Sequence, residues 1–137
     1  MAVYTEVTDD DLSAFLARYD VGTLVAYKGI AECVENTNYL VQTTQARFIL
    51  TLYEARVAPE DLPFFLGLME HVAARGVSCP RPVHATDGTV LSELAGRTAA
   101  FVTFLDGFSV KKPRADHCHK LGRALAERRV EAFVATK

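Results

Sequence analysis

GIAECVENTNYLVQTTQARFILTLYE, residues 29–54, is the stretch whose reading decides the fold. Its first part, residues 29–38, is rich in amide and small polar side chains, which favour turns and accept left-handed backbone geometry. Two runs of β-branched and aromatic residues follow, 39–43 and 48–53, and both read as strands. The polar segment Thr44, Gln45, Ala46 and Arg47 between them suits a hairpin connection. Upstream, residues 23–28 have the composition of a first strand, which Gly29 is expected to end. Three antiparallel strands with a polar loop after the first are the economical arrangement.

Outward from this stretch the pattern turns helical on both sides. Thr8 is a candidate N-cap with Asp11 at the third helical position, and Leu12, Phe15, Leu16 and Tyr19 recur at helical spacing, with Gly22 as terminator. Downstream, Pro59, Glu60 and Asp61 mark a helix start, where a missing amide is tolerated and negative charge is favoured. Pro63 fits only within the first turn of that helix. Leu62, Phe65, Leu66, Met69, Val72 and Ala73 form its expected apolar stripe, and Gly76 its end. Cys79 to Val83 is a proline-punctuated edge segment, and Asp87-Gly88 is the strongest hairpin signal of the chain. Residues 89–94 and 98–105 are expected to be the strands that continue from it, and residues 115–130 have helical composition. The order predicts an α+β fold: helix, three strands, helix, two strands, helix.

At 137 residues, half of them hydrophobic and 23% charged, the chain is large enough for one core and unlike a disordered segment. A net charge of −2 without a polybasic run gives no reason to expect nucleic acid or anionic lipid as partner. The acidic N-terminus does not resemble a signal peptide and no apolar run approaches membrane-spanning length, so a cytosolic setting is expected. Cys33, Cys79 and Cys118 are widely spaced and suggest neither disulfide framework nor zinc site. On a helix His117 and His119 would not face one another, which argues against a metal pair. His71 is expected to pack beside its helix stripe and His84 to lie on the surface. No internal repeat or low-complexity linker marks a second domain boundary.

The segments YKGIAECVENTNYLV, RFILTLYE, EDLPFFLGLMEHVAARGVSCPRPV and AAFVTFLDG, in this order and spacing, closely resemble the homoserine kinases of the aminoglycoside phosphotransferase and choline kinase-like superfamily. The resemblance covers the chain to about Ala126. It implies a protein-kinase-like small lobe over residues 1–107: an antiparallel sheet of about five strands with an N-terminal helix and a helix after strand three. Residues 108–137 would be an inter-lobe segment and a helix leading toward a large lobe. It also implies phosphorylation of the side-chain hydroxyl of L-homoserine by ATP with Mg2+, in threonine biosynthesis. A large helical lobe would supply the catalytic aspartate and the metal ligands, none of which can be located here, so the chain alone is expected to be inactive.

Within the small lobe, Gly29, Ile30, Glu35, Asn36, Thr37 and Asn38 are the first site candidates, with Ala31, Glu32 and Val34 completing the loop. Taken from the residues alone, this is a strand-joining loop. It has one glycine, and Glu32 and Glu35 would repel phosphate unless turned outward. The resemblance favours the phosphate side, because ENTNY is among the family's most recognisable segments. Thr51 resembles the position where protein kinases carry a phosphate-contacting lysine, and the partner glutamate position falls near Phe65. Both charges are absent, which is easier than losing one, since a lone buried charge is costly. Lys28 and Arg47 are available cations, each more often a solvated strand-end residue. Val102, Thr103, Phe104 and Leu105 resemble the hinge whose main chain would hold adenine, with Gly107 allowing the chain to turn.

After Leu125-Ala126 the sequence departs from the family pattern, and a truncation or a boundary placed there are both open readings. An apolar face of Leu121, Leu125, Val130, Phe133 and Val134 is expected to promote self-association. A kinase for another small hydroxyl compound, or a noncatalytic nucleotide-binding or interaction module built from the same lobe, are the alternatives.

Overall fold

Capping explains where the fold begins. In the computed structural model, which describes residues 5–31, 35–54, 58–107 and 110–126, helix α1 spans Asp9–Leu16. The Thr8 hydroxyl accepts from the Asp11 amide at 3.2 Å, and the Asp11 carboxylate accepts from the Thr8 amide at 3.3 Å. Two end amides of the helix are thereby satisfied reciprocally, as the sequence predicts. The buried stripe of α1 is Leu12, Phe15 and Leu16.

Five strands follow: β1 (Leu24–Ile30), β2 (Asn36–Thr43), β3 (Arg47–Tyr53), β4 (Leu91–Leu94) and β5 (Arg97–Thr103). They form one antiparallel sheet in the order β1-β2-β3-β5-β4. Because side chains alternate between faces, β3 places Phe48, Leu50 and Leu52 on one side and Ile49, Thr51 and Tyr53 on the other. The first side meets α1 in the main core. There Phe101 stacks on Phe48 with centroids 4.7 Å apart and meets Phe15 edge-on at 5.9 Å and Tyr19 at 5.3 Å. Fully burying a side chain of this size stabilises by about 1.5–3 kcal/mol.

Helix α2 (Leu62–Ala74) lies against the second face, toward its β4–β5 end. Leu62 shares a cavity of about 220 Å³ with Tyr53 and Thr98 of that face. Leu66 lines another, of about 360 Å³, with Val90 and Leu91. Pro63 sits in the first turn, and Gly76, at φ 81°, ends the helix where the Val77 amide bonds back to the Val72 carbonyl at 3.1 Å. Of the expected stripe, Leu62, Leu66 and Ala73 are buried, Met69 and Val72 are half-buried, and Phe65 is 52% exposed. A stripe read from spacing is wider than the face α2 presents to the sheet. Helix α3 spans Ala115–Ala126, and the rest of the expected helix, residues 127–130, lies outside the described residues with residues 131–137.

Three expectations are corrected here. Gly29 does not end the first strand but pairs with Tyr39 inside the ladder, and β2 begins at Asn36. Residues 29, 30 and 36–38 of the polar segment are therefore strand, since ladder hydrogen bonds override weak local turn preference. Asp87-Gly88 does reverse the chain, with Asp87 accepting from the Thr89 amide at 2.9 Å, but it opens no strand ladder. The β4–β5 hairpin turns instead at Ala95 (φ 51°) and Gly96 (φ 70°), a pair of left-handed residues of the kind that matches strand twist. Finally, β5 ends at Thr103, leaving Phe104 and Leu105 beyond it.

Candidate active-site face

Among the described residues the second face of the sheet is covered where α2 lies, and the rest is where the candidate residues gather. Register places Leu40 beside Ile49 and Ile49 beside Val102, so β2, β3 and β5 contribute one apolar row, each member half-buried. One step along the face, the Thr51 hydroxyl donates to Asn38 Oδ1 at 2.6 Å. Ile30 pairs with Asn38, and Ala100, 1% exposed, pairs with Thr51. The row and the polar pair are adjacent because residues two apart on a strand share a face. Leu40 and Ile49 were not singled out from the sequence. Their signal was the alternation itself, which shows that two faces exist without showing which is left open.

Of the first candidates, Asn36 and Asn38 lie on this face and Thr37 does not. Thr37 is 0% exposed on the core side, accepts from the Thr5 amide at 3.2 Å and donates to the Glu54 carboxylate at 2.9 Å. Its side chain is thus committed to the core, a consequence of strand alternation that a loop reading could not supply. Gly29 and Ile30 close β1, Glu35 is exposed at the entry to β2, and Glu32, Cys33 and Val34 lie outside the described residues.

The hinge candidates are held from both sides. The Thr103 amide donates to the Arg81 carbonyl at 2.9 Å, while the Arg81 amide donates to the Thr103 hydroxyl, also at 2.9 Å, and not to its carbonyl. The Phe104 amide donates to the Arg47 carbonyl at 3.2 Å. Alternation in the antiparallel ladder turns the groups of Val102 toward Ile49 and those of Thr103 away from β3. Among the described residues no hydrogen bond reaches the Thr103 carbonyl or the Leu105 amide. The segment therefore presents an acceptor and a donor two residues apart.

The two cations divide. Lys28 is exposed and lies beside Leu40. Arg47 is occupied, with Nη2 2.5 Å from Asp106 and its guanidinium 4.7 Å over the Phe104 ring. It stands four residues from Thr51, about 13 Å along the strand, too far to balance charge there. The Glu54 carboxylate closes the far end of β3, bonded to the Thr5 hydroxyl at 2.7 Å and paired with Arg97 at 3.0 Å. The Thr5 bond, then the Thr37 bond and the Arg97 charge, hold its pKa below the ordinary carboxylate value against the effect of burial. Among the described residues no set of three or more His, Cys, Asp or Glu side chains is placed to hold a metal ion. His71 bonds Arg75, and His84 ties Glu70 of α2 to the Gly88 carbonyl, so both serve the fold.

Residues 26–130 match the family model described as phosphotransferase enzyme family. The chain belongs to that family. It is 66% identical over 127 residues to the homoserine kinase of Azorhizobium caulinodans, which covers 93% of the chain and 40% of that relative. The homoserine kinase of Xanthobacter autotrophicus is 64% identical over the same share of both. The chain thus spans about 40% of the length of these curated relatives. Among solved structures, spectinomycin phosphotransferase in complex with ADP and spectinomycin superposes with a TM-score of 0.68, at 12% identity, over 93% of the chain and 40% of that protein. The phosphotransferase fold expected from the sequence is the one observed: a five-stranded antiparallel sheet with three helices. No helix among the described residues is long and apolar enough to cross a membrane.

Proposed function

We propose that residues 1–107 form the nucleotide-covering lobe of a kinase that transfers the terminal phosphoryl group of ATP to the side-chain hydroxyl of L-homoserine, giving O-phospho-L-homoserine for threonine biosynthesis. The observation that carries the nucleotide part is the apolar row Leu40, Ile49 and Val102 beside the Thr103 carbonyl and the Leu105 amide, which have no hydrogen-bond partner among the described residues. Adenine is a flat ring with a donor next to an acceptor. It fits a half-buried apolar row for its faces and a main-chain donor and acceptor for its edge. Asn38 and Thr51 lie further along the same face, where the phosphates would extend, with Asn36, Gly29, Ile30 and Glu35 at the β1–β2 mouth.

The substrate assignment rests on the homoserine kinase relatives. ATP use is supported by the fold shared with an ADP-bound phosphotransferase. Bound Mg2+ would neutralise phosphate charge. The described residues do not fit the metal, so the proposal places its ligands and the group accepting the hydroxyl proton in a second lobe, reached through residues 108–137. Phosphoryl transfer depends on positioning and charge neutralisation, and this lobe would contribute the positioning of the nucleotide. The 137-residue chain by itself is expected to show no turnover. A cytosolic setting accompanies this reading.

Two measurements test it. Calorimetric titration of the chain with Mg-ATP should show binding that adenosine competes away, and its absence would remove the nucleotide-cover assignment. Joining residues 1–126 to the remaining length of the Azorhizobium caulinodans relative should give a kinase that prefers L-homoserine to L-serine. A chimera that folds and phosphorylates another hydroxyl compound in preference would overturn the substrate assignment.

A further inference from the structure

Arg47 is occupied in a way that bears on the nucleotide edge. It is the first residue of β3, on the same face as Ile49 and Thr51, and it holds the segment after β5 by three contacts. Its carbonyl accepts from the Phe104 amide, its guanidinium lies 4.7 Å over the Phe104 ring, and its Nη2 pairs with Asp106 at 2.5 Å. Phe104 is the residue between Thr103 and Leu105. When the amide and ring of Phe104 are fixed toward β3, the residues on either side must turn their main-chain groups the other way, as in any extended segment. From the opposite side, Arg81 holds Thr103 through its amide and hydroxyl and leaves the Thr103 carbonyl unbonded.

We propose that Arg47 is the positioning residue for nucleotide recognition: by holding Phe104 and Asp106 against β3 it orients the Thr103 carbonyl and the Leu105 amide as one adenine-reading edge. The inference rests on the nucleotide-cover reading above. Arginine suits the role better than lysine, because a planar guanidinium can stack on a ring with its face while pairing a carboxylate with its edge. The pair is a surface one, with Arg47 and Asp106 side chains 48% and 81% exposed, so its effect on global stability is small. Its effect is local, on a short segment outside the sheet, where ordering before binding lowers the cost of binding.

The test compares Mg-ATP with Mg-tripolyphosphate, which has the phosphates and no base, by calorimetric titration of the chain and its variants. Arg47→Gln should weaken ATP about fivefold or more, from loss of the stacking and the pair together, and leave tripolyphosphate within about twofold. Arg47→Lys should fall nearer Gln than wild type, and Asp106→Asn should add nothing when combined with Arg47→Gln. Amide exchange at Phe104, whose amide is bonded to the Arg47 carbonyl, should accelerate about tenfold in Arg47→Gln without change at Leu50. If the wild type binds ATP and Arg47→Gln binds it equally well, the positioning role is overturned and the nucleotide reading stands. Equal loss of ATP and tripolyphosphate would also overturn it, since Arg47 would then act on phosphate or on the fold. A wild type that binds no ATP would overturn both.

Discussion

Glu54 is an acid at the end of an apolar strand, and two hydroxyl groups and Arg97 converge on its carboxylate. Thr5 and Thr37 both donate to Oε1, and Arg97 pairs with Oε2, which ties the N-terminal segment to β2, β3 and β5. The side chain is 13% exposed, so these bonds are little screened. Its lowered pKa means that the ionised form stabilises the fold. That contribution is complete above the ordinary carboxylate value and is lost as pH falls through the lowered folded value. Glu54→Gln should therefore cost roughly 2 kcal/mol at pH 7, the scale of hydrogen bonds to a charged group, and less at pH 3. Urea unfolding at the two pH values measures this. A variant equally destabilised at both would show that packing, not charge, is what Glu54 contributes. The same network explains why Thr37 cannot serve the open face, although Asn36 and Asn38 beside it can.

Among the elements, the β4–β5 hairpin shows a local conflict resolved by the ladder. Its turn needs left-handed backbone at two successive residues, and Gly96 supplies one of them freely while Ala95 adopts φ 51° at a cost. Ala95→Gly should stabilise by about 1 kcal/mol and raise Tm by a few degrees. Differential scanning calorimetry measures this, and a lower Tm would mean that unfolded-chain entropy outweighs the strain. The opposite case is Gly22, at φ 81°, where an added Cβ would lie 2.2 Å from Thr44 Oγ1. That hydroxyl accepts from the Thr23 amide at 3.1 Å, so Gly22→Ala should disturb both the turn and the start of β1. A loss of more than about 1 kcal/mol is expected, read by the same calorimetry. Helix α2 presents a third kind of element: three of its six stripe residues are buried, because only part of the stripe faces the sheet.

For the molecule as a whole, the two faces of the sheet are unequally covered among the described residues, and this inequality leaves open the face proposed to hold the nucleotide. One face is closed by α1 through the cluster of Phe15, Tyr19, Phe48 and Phe101. The other is closed by α2 at the β4–β5 end and left half-buried along Leu40, Ile49 and Val102. Phe101 is 0% exposed at the centre of the closed face, in the strand that carries Val102 and Thr103 and leads into Phe104 and Leu105. Phe101→Ala should cost about 3–5 kcal/mol. Nucleotide binding should then be lost together with the fold in one cooperative urea transition. Retained binding after loss of the sheet signal would show the site to be independent of this core.

What the sequence determined by itself was local and periodic. The capping box of Thr8 and Asp11, the stripe and glycine end of α2, and the strands around residues 39–53 each follow from spacing that hydrogen bonding and burial act on directly. The resemblance carried by ENTNY and its flanking segments named the family before any coordinate did. Tertiary structure decided the rest, because it depends on which surfaces meet. Strand pairing drew both ends of a polar loop into the ladder and sent Thr37 to the core. The placement of α2 left one part of one face open. Arg47, legible as a solvated strand-end cation, acquired its contacts with Phe104 and Asp106 only when β3 and β5 became neighbours, since those residues are more than fifty positions away in the chain.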